Sequence, residues 1–195
     1  MYIVGFNGPP ESGKDTLAAM LVAHMEKHQI PSPIRLESLS LPLRRIAYSV
    51  VDWRGELDGP DYSEFKQTYF HQLGVTGREL LIHVSEKYLK PVYGVEVMTR
   101  LLLQRNESFI GVLLIRDCGF QIEVNPLIRA VGPENFYLVN VMRLGKDFSN
   151  DSREWVNHPM SKCQMQVNNV HGLDDLRVEA GRIYGRLVNQ MGWTL

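Results

Sequence analysis

Seven residues limit what this chain can become more than any others. Gly8-Pro9-Pro10-Glu11-Ser12-Gly13-Lys14 fits the pattern G-x-x-x-x-G-K. It follows an apolar run rich in β-formers, Tyr2 to Phe6, which reads as a buried first strand. It precedes a stretch from Thr16 to His28 in which Leu17, Met20, Leu21 and Met25 recur at helical spacing. Between a strand and a helix, the glycines let backbone N–H groups turn inward around phosphate oxygens. The helix start adds partial positive charge there, and Lys14 adds a full one. The plainer alternative is a glycine-rich turn without a ligand. Asp15 stands where Ser or Thr normally ligates Mg²⁺, and Thr16 follows it. Both are hard oxygen donors. The sequence leaves open whether the Asp15 carboxylate holds the metal or only caps the helix while Thr16 ligates.

The rest of the chain alternates strand and helix patterns. Ile34 to Ser38 reads as a second strand and Pro42 to Val51 as a short helix with proline in its first turn. Asp52 to Tyr62 holds Gly55, Gly59 and Pro60 and is predicted to be a flexible loop. Thr76-Gly77-Arg78-Glu79 is a capping box opening a helix toward Leu89, and another helix is predicted over Val95 to Arg105. Phe109 to Ile115 is a continuous apolar run of the buried parallel type. A helix over Gln121 to Val131, a strand over Phe136 to Val141, a strand over Gln164 to Asn168 and a helix from Leu173 to about Met191 follow. Such alternation predicts an α/β domain of three layers with a mostly parallel sheet. Gly145 to Pro159 is polar, holds Gly145, Asn150, Asp151 and Ser152, and offers few residues able to anchor it to a core.

Composition narrows the partners. Over 195 residues, 21 Lys and Arg nearly cancel 22 Asp and Glu, leaving a net charge of −1. No whole-protein field would hold a nucleic acid polymer, so any anion site must be local. Two cysteines, Cys118 and Cys163, exclude a disulfide framework and suit a reducing cytosol. The N-terminus lacks the basic stretch of a signal peptide, and no apolar run is long enough to span a bilayer. A soluble, cytoplasmic protein is therefore expected.

Phosphoryl transfer needs charge neutralised on phosphates that are held in line, and the planar fork of arginine suits this. Candidates lie on separate segments: Arg44, Arg78, Arg143 and Arg153, with Lys66 and Lys90. Arg78 lies in the first turn of a capped helix. Arg143 follows the carboxyl end of a buried strand, where ligand sites of α/β folds lie. Arg153 lies in the polar segment. Each has a bland reading as a solvated surface charge. Asp117 also follows a strand end and reads equally as a second metal-binding carboxylate or as a helix cap. The six histidines form no ligand cluster, though His158 could touch a ligand from the polar segment. Trp53, Tyr62, Phe65, Tyr69 and Phe70 could stack a base, although core packing is the commoner use.

Gly13-Lys14-Asp15-Thr16-Leu17-Ala18 resembles the deoxynucleoside monophosphate kinases of bacteriophages, which carry G-K-D-T at this place. Further segments match in the same order. They are Leu39-Ser40-Leu41-Pro42-Leu43-Arg44, Thr76-Gly77-Arg78-Glu79-Leu80-Leu81 running on through Pro91, Asp117-Cys118-Gly119-Phe120-Gln121-Ile122-Glu123, and Arg143 with Asp151-Ser152-Arg153. The closing Asn168-Asn169 and Leu173-Asp174-Asp175-Leu176 resemble the end of many small nucleotide kinases. One place departs: where relatives often have Asp-Val-Arg-Phe, Gly119 stands for the arginine, and Arg116 precedes the aspartate instead.

The resemblance implies a single P-loop NTPase domain over 1–195, similar to nucleoside monophosphate kinases, with an acceptor-binding helical region at about 40–106 and a mobile lid at about 143–162. It implies transfer from ATP to a deoxynucleoside monophosphate in the cytoplasm of a phage host. ATP would lie on Gly8, Glu11, Ser12, Gly13, Lys14, Asp15 and Thr16, and Mg²⁺ on Asp15, Thr16 and Asp117. The acceptor would lie on Arg44, Lys66, Arg78 and Lys90, with Lys14, Arg143 and Arg153 acting on the transferring group. No membrane is expected as partner, and a homodimer is left open. Two rivals stand beside this expectation: a small-metabolite kinase similar to dephospho-coenzyme A kinases, and a nucleotide-dependent switch or assembly factor with no small-molecule acceptor.

Overall fold

The computed structural model describes residues 1–149 and 151–191. Asn150, expected in the polar segment, lies outside the described residues. In chain order the elements are β1 (Tyr2–Asn7), α1 (Lys14–Lys27), β2 (Ile34–Glu37), α2 (Leu41–Val50), α3 (Gly59–Gln67), β3 (Tyr69–Phe70), β4 (Val75–Thr76), α4 (Gly77–Ile82), a π-helical stretch (His83–Leu89), α5 (Lys90–Tyr93), α6 (Val97–Arg105), β5 (Val112–Ile115), α7 (Gln121–Val131), β6 (Phe136–Met142), β7 (Gln164–Asn168) and α8 (Leu173–Met191). They form two compact units, one of residues 1–38 with 106–195 and one of residues 39–105.

The first unit is built on a parallel five-stranded sheet in the order β2-β5-β1-β6-β7. β1 is central, with Ile3 level with Leu113 on one side and Phe136 on the other. Its residues from Ile3 to Asn7 are all buried, as a strand covered on both faces requires. Val4, Phe6, Val112, Leu114, Tyr137, Val139, Met165 and Val167 point to one face. There they meet Leu17, Leu21 and Met25 of α1 and Leu176, Ile183 and Leu187 of α8. Side chains alternate along a strand, so Ile3, Leu113, Ile115, Phe136 and Leu138 point to the opposite face. Helix α7 packs on β1 and β6 and buries Val124 and Leu127 completely. The result is the three-layer α/β P-loop fold, with the glycine-rich loop joining the central strand to the first helix.

The second unit holds α2–α6 and the small antiparallel hairpin β3–β4. An aromatic cluster sits inside it: the Phe65 ring lies 4.5 Å from Tyr48, 5.6 Å from Trp53 and 5.5 Å from Phe70. Trp53, Phe65 and Phe70 thus pack on one another, while Tyr69 is exposed.

Three features depart from the sequence expectations. The flexible loop expected over Asp52 to Tyr62 ends early, because α3 starts at Gly59 with Pro60 in its first turn. An N–H there has no intrahelical acceptor, so proline costs nothing. The helix opened at Thr76 widens at His83, where the Lys90 N–H donates to the Ser85 carbonyl five residues back, just before Pro91. The apolar run from Phe109 contributes strand only from Val112. Ile110 is exposed, and Gly111 abuts Pro33, whose carbonyl would lie 2.2 Å from an added Cβ.

Candidate functional site

The glycine-rich loop is held by backbone geometry. Gly13 caps α1 at φ 98°, in the left-handed region that disfavours side chains. A Cβ there would stand 2.7 Å from Asn169 Nδ2, and a Cβ at Gly8 would stand 2.5 Å from the Val141 carbonyl oxygen. Asn169 bolts the loop to the sheet. Its Nδ2 donates to the Ser12 carbonyl at 2.9 Å, its Oδ1 accepts from the Gly172 N–H at 3.0 Å, and its own N–H donates to the Met142 carbonyl at 2.8 Å. Helix α1 begins without a side-chain cap, so its first N–H groups remain donors for an anion.

Lys14 folds over this loop, its Nζ donating to the Pro9 carbonyl at 3.3 Å. Burial pushes its pKa down, Asp15 pulls it up, Arg153 pushes it down, and Asp117 and Asp151 pull it up. The ammonium is thus largely desolvated, and a hydrogen bond from such a cation to a phosphate oxygen is of the stronger, charge-assisted kind. The Ser12 hydroxyl is buried beside it with no hydrogen-bond partner among the described residues. A buried orphan hydroxyl costs about 1–3 kcal/mol, and a phosphate oxygen on the loop would relieve it.

Asp15 and Thr16 are exposed on the first turn of α1. Asp117 follows β5, and its Oδ2 accepts from the Ser38 hydroxyl at 2.6 Å. These are hard oxygen donors of the kind Mg²⁺ takes. Among the described residues no three His, Cys, Asp or Glu side chains form a metal cage. Mg²⁺ at nucleotides typically uses one or two carboxylates and completes its shell with phosphate oxygens and water, so the donor set fits.

The polar segment after β6 touches the loop from its first residues. Arg143 Nη1 donates to the Glu11 carbonyl at 3.1 Å, and Lys146 pairs with the Glu11 carboxylate. Hydrogen bonding and charge from Lys146 hold the Glu11 carboxyl below its usual pKa. Arg153 is gripped by Asp151, with Nε to Oδ1 at 2.8 Å and Nη2 to Oδ2 at 2.5 Å.

The expectation that little anchors this segment fails beyond residue 153. Val156 is fully buried. Asn7 Nδ2 donates to the carbonyls of Cys118 and Glu154 at 2.7 and 2.9 Å, and its Oδ1 accepts from the Val156 N–H at 3.3 Å. Asn140 Nδ2 donates to the Val156 carbonyl at 3.0 Å. Residues 143–147, by contrast, are all exposed. Asn7, Asn140 and Lys146 were not singled out from the sequence. The available signal was two asparagines inside otherwise apolar strands.

His158 is buried and stacked on Phe136 at 5.8 Å. Its Nδ1 accepts from the Met160 N–H at 2.9 Å, and burial lowers its pKa. It lines a cavity of about 490 Å³ with Gln121, Asn125 and Arg129, which shares no residue with the phosphate loop.

Within the second unit, Arg44 is buried and occupied. Its Nη1 pairs with Asp58 and donates to the Leu57 carbonyl at 2.9 Å, and its Nε and Nη2 reach the Ser40 hydroxyl at 3.1 and 2.8 Å. The Tyr62 ring centroid lies 4.0 Å from the Arg44 guanidinium and 4.5 Å from Lys66 Nζ. Lys90 is paired with Glu86 at 2.6 Å. Arg78 is exposed in the first turn of α4. The unit therefore brings Arg44 and Lys66 together around one ring.

No protein-family model matches the sequence, and no curated protein matches it. The chain is similar to a gluconokinase from Sinorhizobium meliloti, at 10% identity over 98% of this chain and 96% of that one, with a TM-score of 0.49. It is similar to a sugar kinase from Janibacter, at 9% identity over 98% and 95%, with a TM-score of 0.48. It is also similar to the APS kinase of Mycobacterium tuberculosis in complex with AMPPNP and APS, at 10% identity over 95% and 96%, with a TM-score of 0.44. The fold assignment rests on the strand order and the loop. Among the described residues no helix is long and apolar enough to cross a membrane.

Proposed function

We propose that the chain transfers the terminal phosphoryl group of ATP to the phosphate of a deoxynucleoside monophosphate. One observation carries the donor side of the reading, and the acceptor rests on the resemblance of the sequence. A buried Lys14 ammonium and an orphan Ser12 hydroxyl sit on a backbone cradle too tight for a Cβ at Gly8 or Gly13. Arg143 touches that cradle, and the charge of Arg153 acts on Lys14.

In this reading the triphosphate lies on Gly8 to Thr16, with Lys14 on its terminal phosphates. A monophosphate oxygen attacks the γ-phosphorus, the bond to the β–γ bridging oxygen breaks, and ADP leaves. The attacking oxygen is already anionic, so no base or protein nucleophile is required. Arg143 and Arg153 take up charge on the transferring group, and closing of the exposed 143–147 stretch excludes water as acceptor. Asp15, Thr16 and Asp117 would hold Mg²⁺, which when bound neutralises the phosphate oxygens. Arg78, Lys66, Lys90 and Arg44 hold the acceptor, and on Arg44 its phosphate would replace Asp58. The deoxy preference rests on the resemblance of the sequence alone.

Asp117 supports a second reading. Its carboxylate acts on the Lys14 charge and could accept the proton of an alcohol, as a small-metabolite kinase needs. A coupled assay of ADP release, with Mg-ATP against deoxynucleoside monophosphates, ribonucleoside monophosphates and alcohol acceptors, separates the two. Turnover is expected with a deoxynucleoside monophosphate. Turnover confined to alcohols would replace the first reading with the second.

A further inference from the structure

We propose that Gly119 is a positioning residue for Arg153, its missing side chain being the space in which the arginine stem lies. The inference rests on the transfer reading above. A Cβ at 119 would stand 2.6 Å from Arg153 Cδ, 2.7 Å from Cγ and 3.5 Å from Cβ. Three successive carbons of the stem therefore cross this one position. Two of them are too close to the backbone to yield by a swing of the tip.

The backbone at 119 does not itself require glycine, because Gly119 is not among the positive-φ glycines of the chain. Alanine could adopt the same conformation, so the demand is for space alone. Nor can the two chain segments move apart at little cost. The Glu154 N–H donates to the Gly119 carbonyl at 3.0 Å, and the Asn7 amide clamps the carbonyls of Cys118 and Glu154 together. The base of the Arg153 side chain is thereby fixed beside Gly119. Its head is fixed by the two-pronged grip of Asp151, whose side chain is 6% exposed. Between fixed base and fixed head, the path over Gly119 is the one the stem takes. That path sets where the guanidinium lies in the grip of Asp151.

The test is a double-substitution cycle with two readouts. Gly119→Ala is expected to lower kcat about a hundredfold, as small misplacements of positioning groups can, with KM for ATP little changed. Arg153→Ala is expected to do the same, and Gly119→Ala in the Arg153→Ala background to cost nothing more. In parallel, Gly119→Ala should lower Tm in the wild-type background and not in Arg153→Ala, where the obstructed stem is gone. Unchanged kcat in Gly119→Ala, or losses that multiply in the double variant, would overturn the proposal. If the wild-type protein transfers to no acceptor, the transfer reading and this positioning role fall together. The Tm cycle then still decides whether the stem needs that space, and equal losses in both backgrounds refute it.

Discussion

The phosphate loop and the helical unit of residues 39–105 present positive charge in different ways. In the loop the backbone forms the site. Gly8 and Gly13 admit no Cβ, Asn169 ties the Ser12 carbonyl to the sheet, and Lys14 adds one buried charge. In the helical unit the candidate groups are long cationic side chains, and several already rest on a local partner. Arg44 is on Asp58 and Ser40, Lys90 on Glu86, and Lys66 over Tyr62. Both paired cations are largely buried, with side chains 6% and 13% exposed, so either carboxylate can leave only if another anion takes its place. The loop is fixed by its own backbone contacts; the cations of the helical unit are held by side-chain partners.

Substitutions can break or sharpen this contrast. The largest effect is expected from Lys14→Ala, with a loss of about 10²–10³-fold or more in turnover, of the size seen when one preorganised transition-state donor is removed. The fold should survive, as unchanged circular dichroism would show. Near wild-type turnover would mean that the loop is not where transfer occurs. Arg78→Ala should act on the acceptor. The lost charge-assisted bond is worth about 1.5–3 kcal/mol and should appear as a raised KM for the monophosphate, with that for ATP little altered. An effect confined to ATP would place Arg78 on the donor side. Stability should separate the two regions as well. Gly13→Ala forces a side chain to φ 98° against Asn169 and should cost about 1–3 kcal/mol in denaturant unfolding. Arg78→Ala, on an exposed first turn, should leave the midpoint nearly unchanged.

The same contrast explains what could be read in advance. The loop was legible because a backbone site is written as glycine spacing between a strand and a helix. The capping box was legible for a similar local reason: Thr76 Oγ1 accepts from the Glu79 N–H at 3.2 Å, and the Thr76 N–H donates to Glu79 Oε2 at 2.7 Å. The span of α7 and of β7 also followed from local pattern. Helix α3 was hidden by Gly59 and Pro60, which read as loop residues until the first turn is seen to tolerate both. The hairpin β3–β4 has two residues per strand, too few for any periodicity. The clamp by Asn7 and Asn140 joins Asn7 to positions 147 and 149 residues away, a pairing no local pattern announces. Nor does a one-dimensional reading show that Gly119 lies under Arg153.

The most direct test follows the transferred phosphorus. Purified protein, Mg-ATP and a deoxynucleoside monophosphate are incubated, and the products are read by phosphorus NMR. Transfer to a phosphate makes a diphosphate, so the α-phosphorus of the former monophosphate should become split by a new β-phosphorus, and Lys14→Ala should slow the growth of that signal about 10²–10³-fold or more. ADP accompanied only by inorganic phosphate, or by a new phosphomonoester without phosphorus–phosphorus splitting, would contradict a nucleoside monophosphate acceptor.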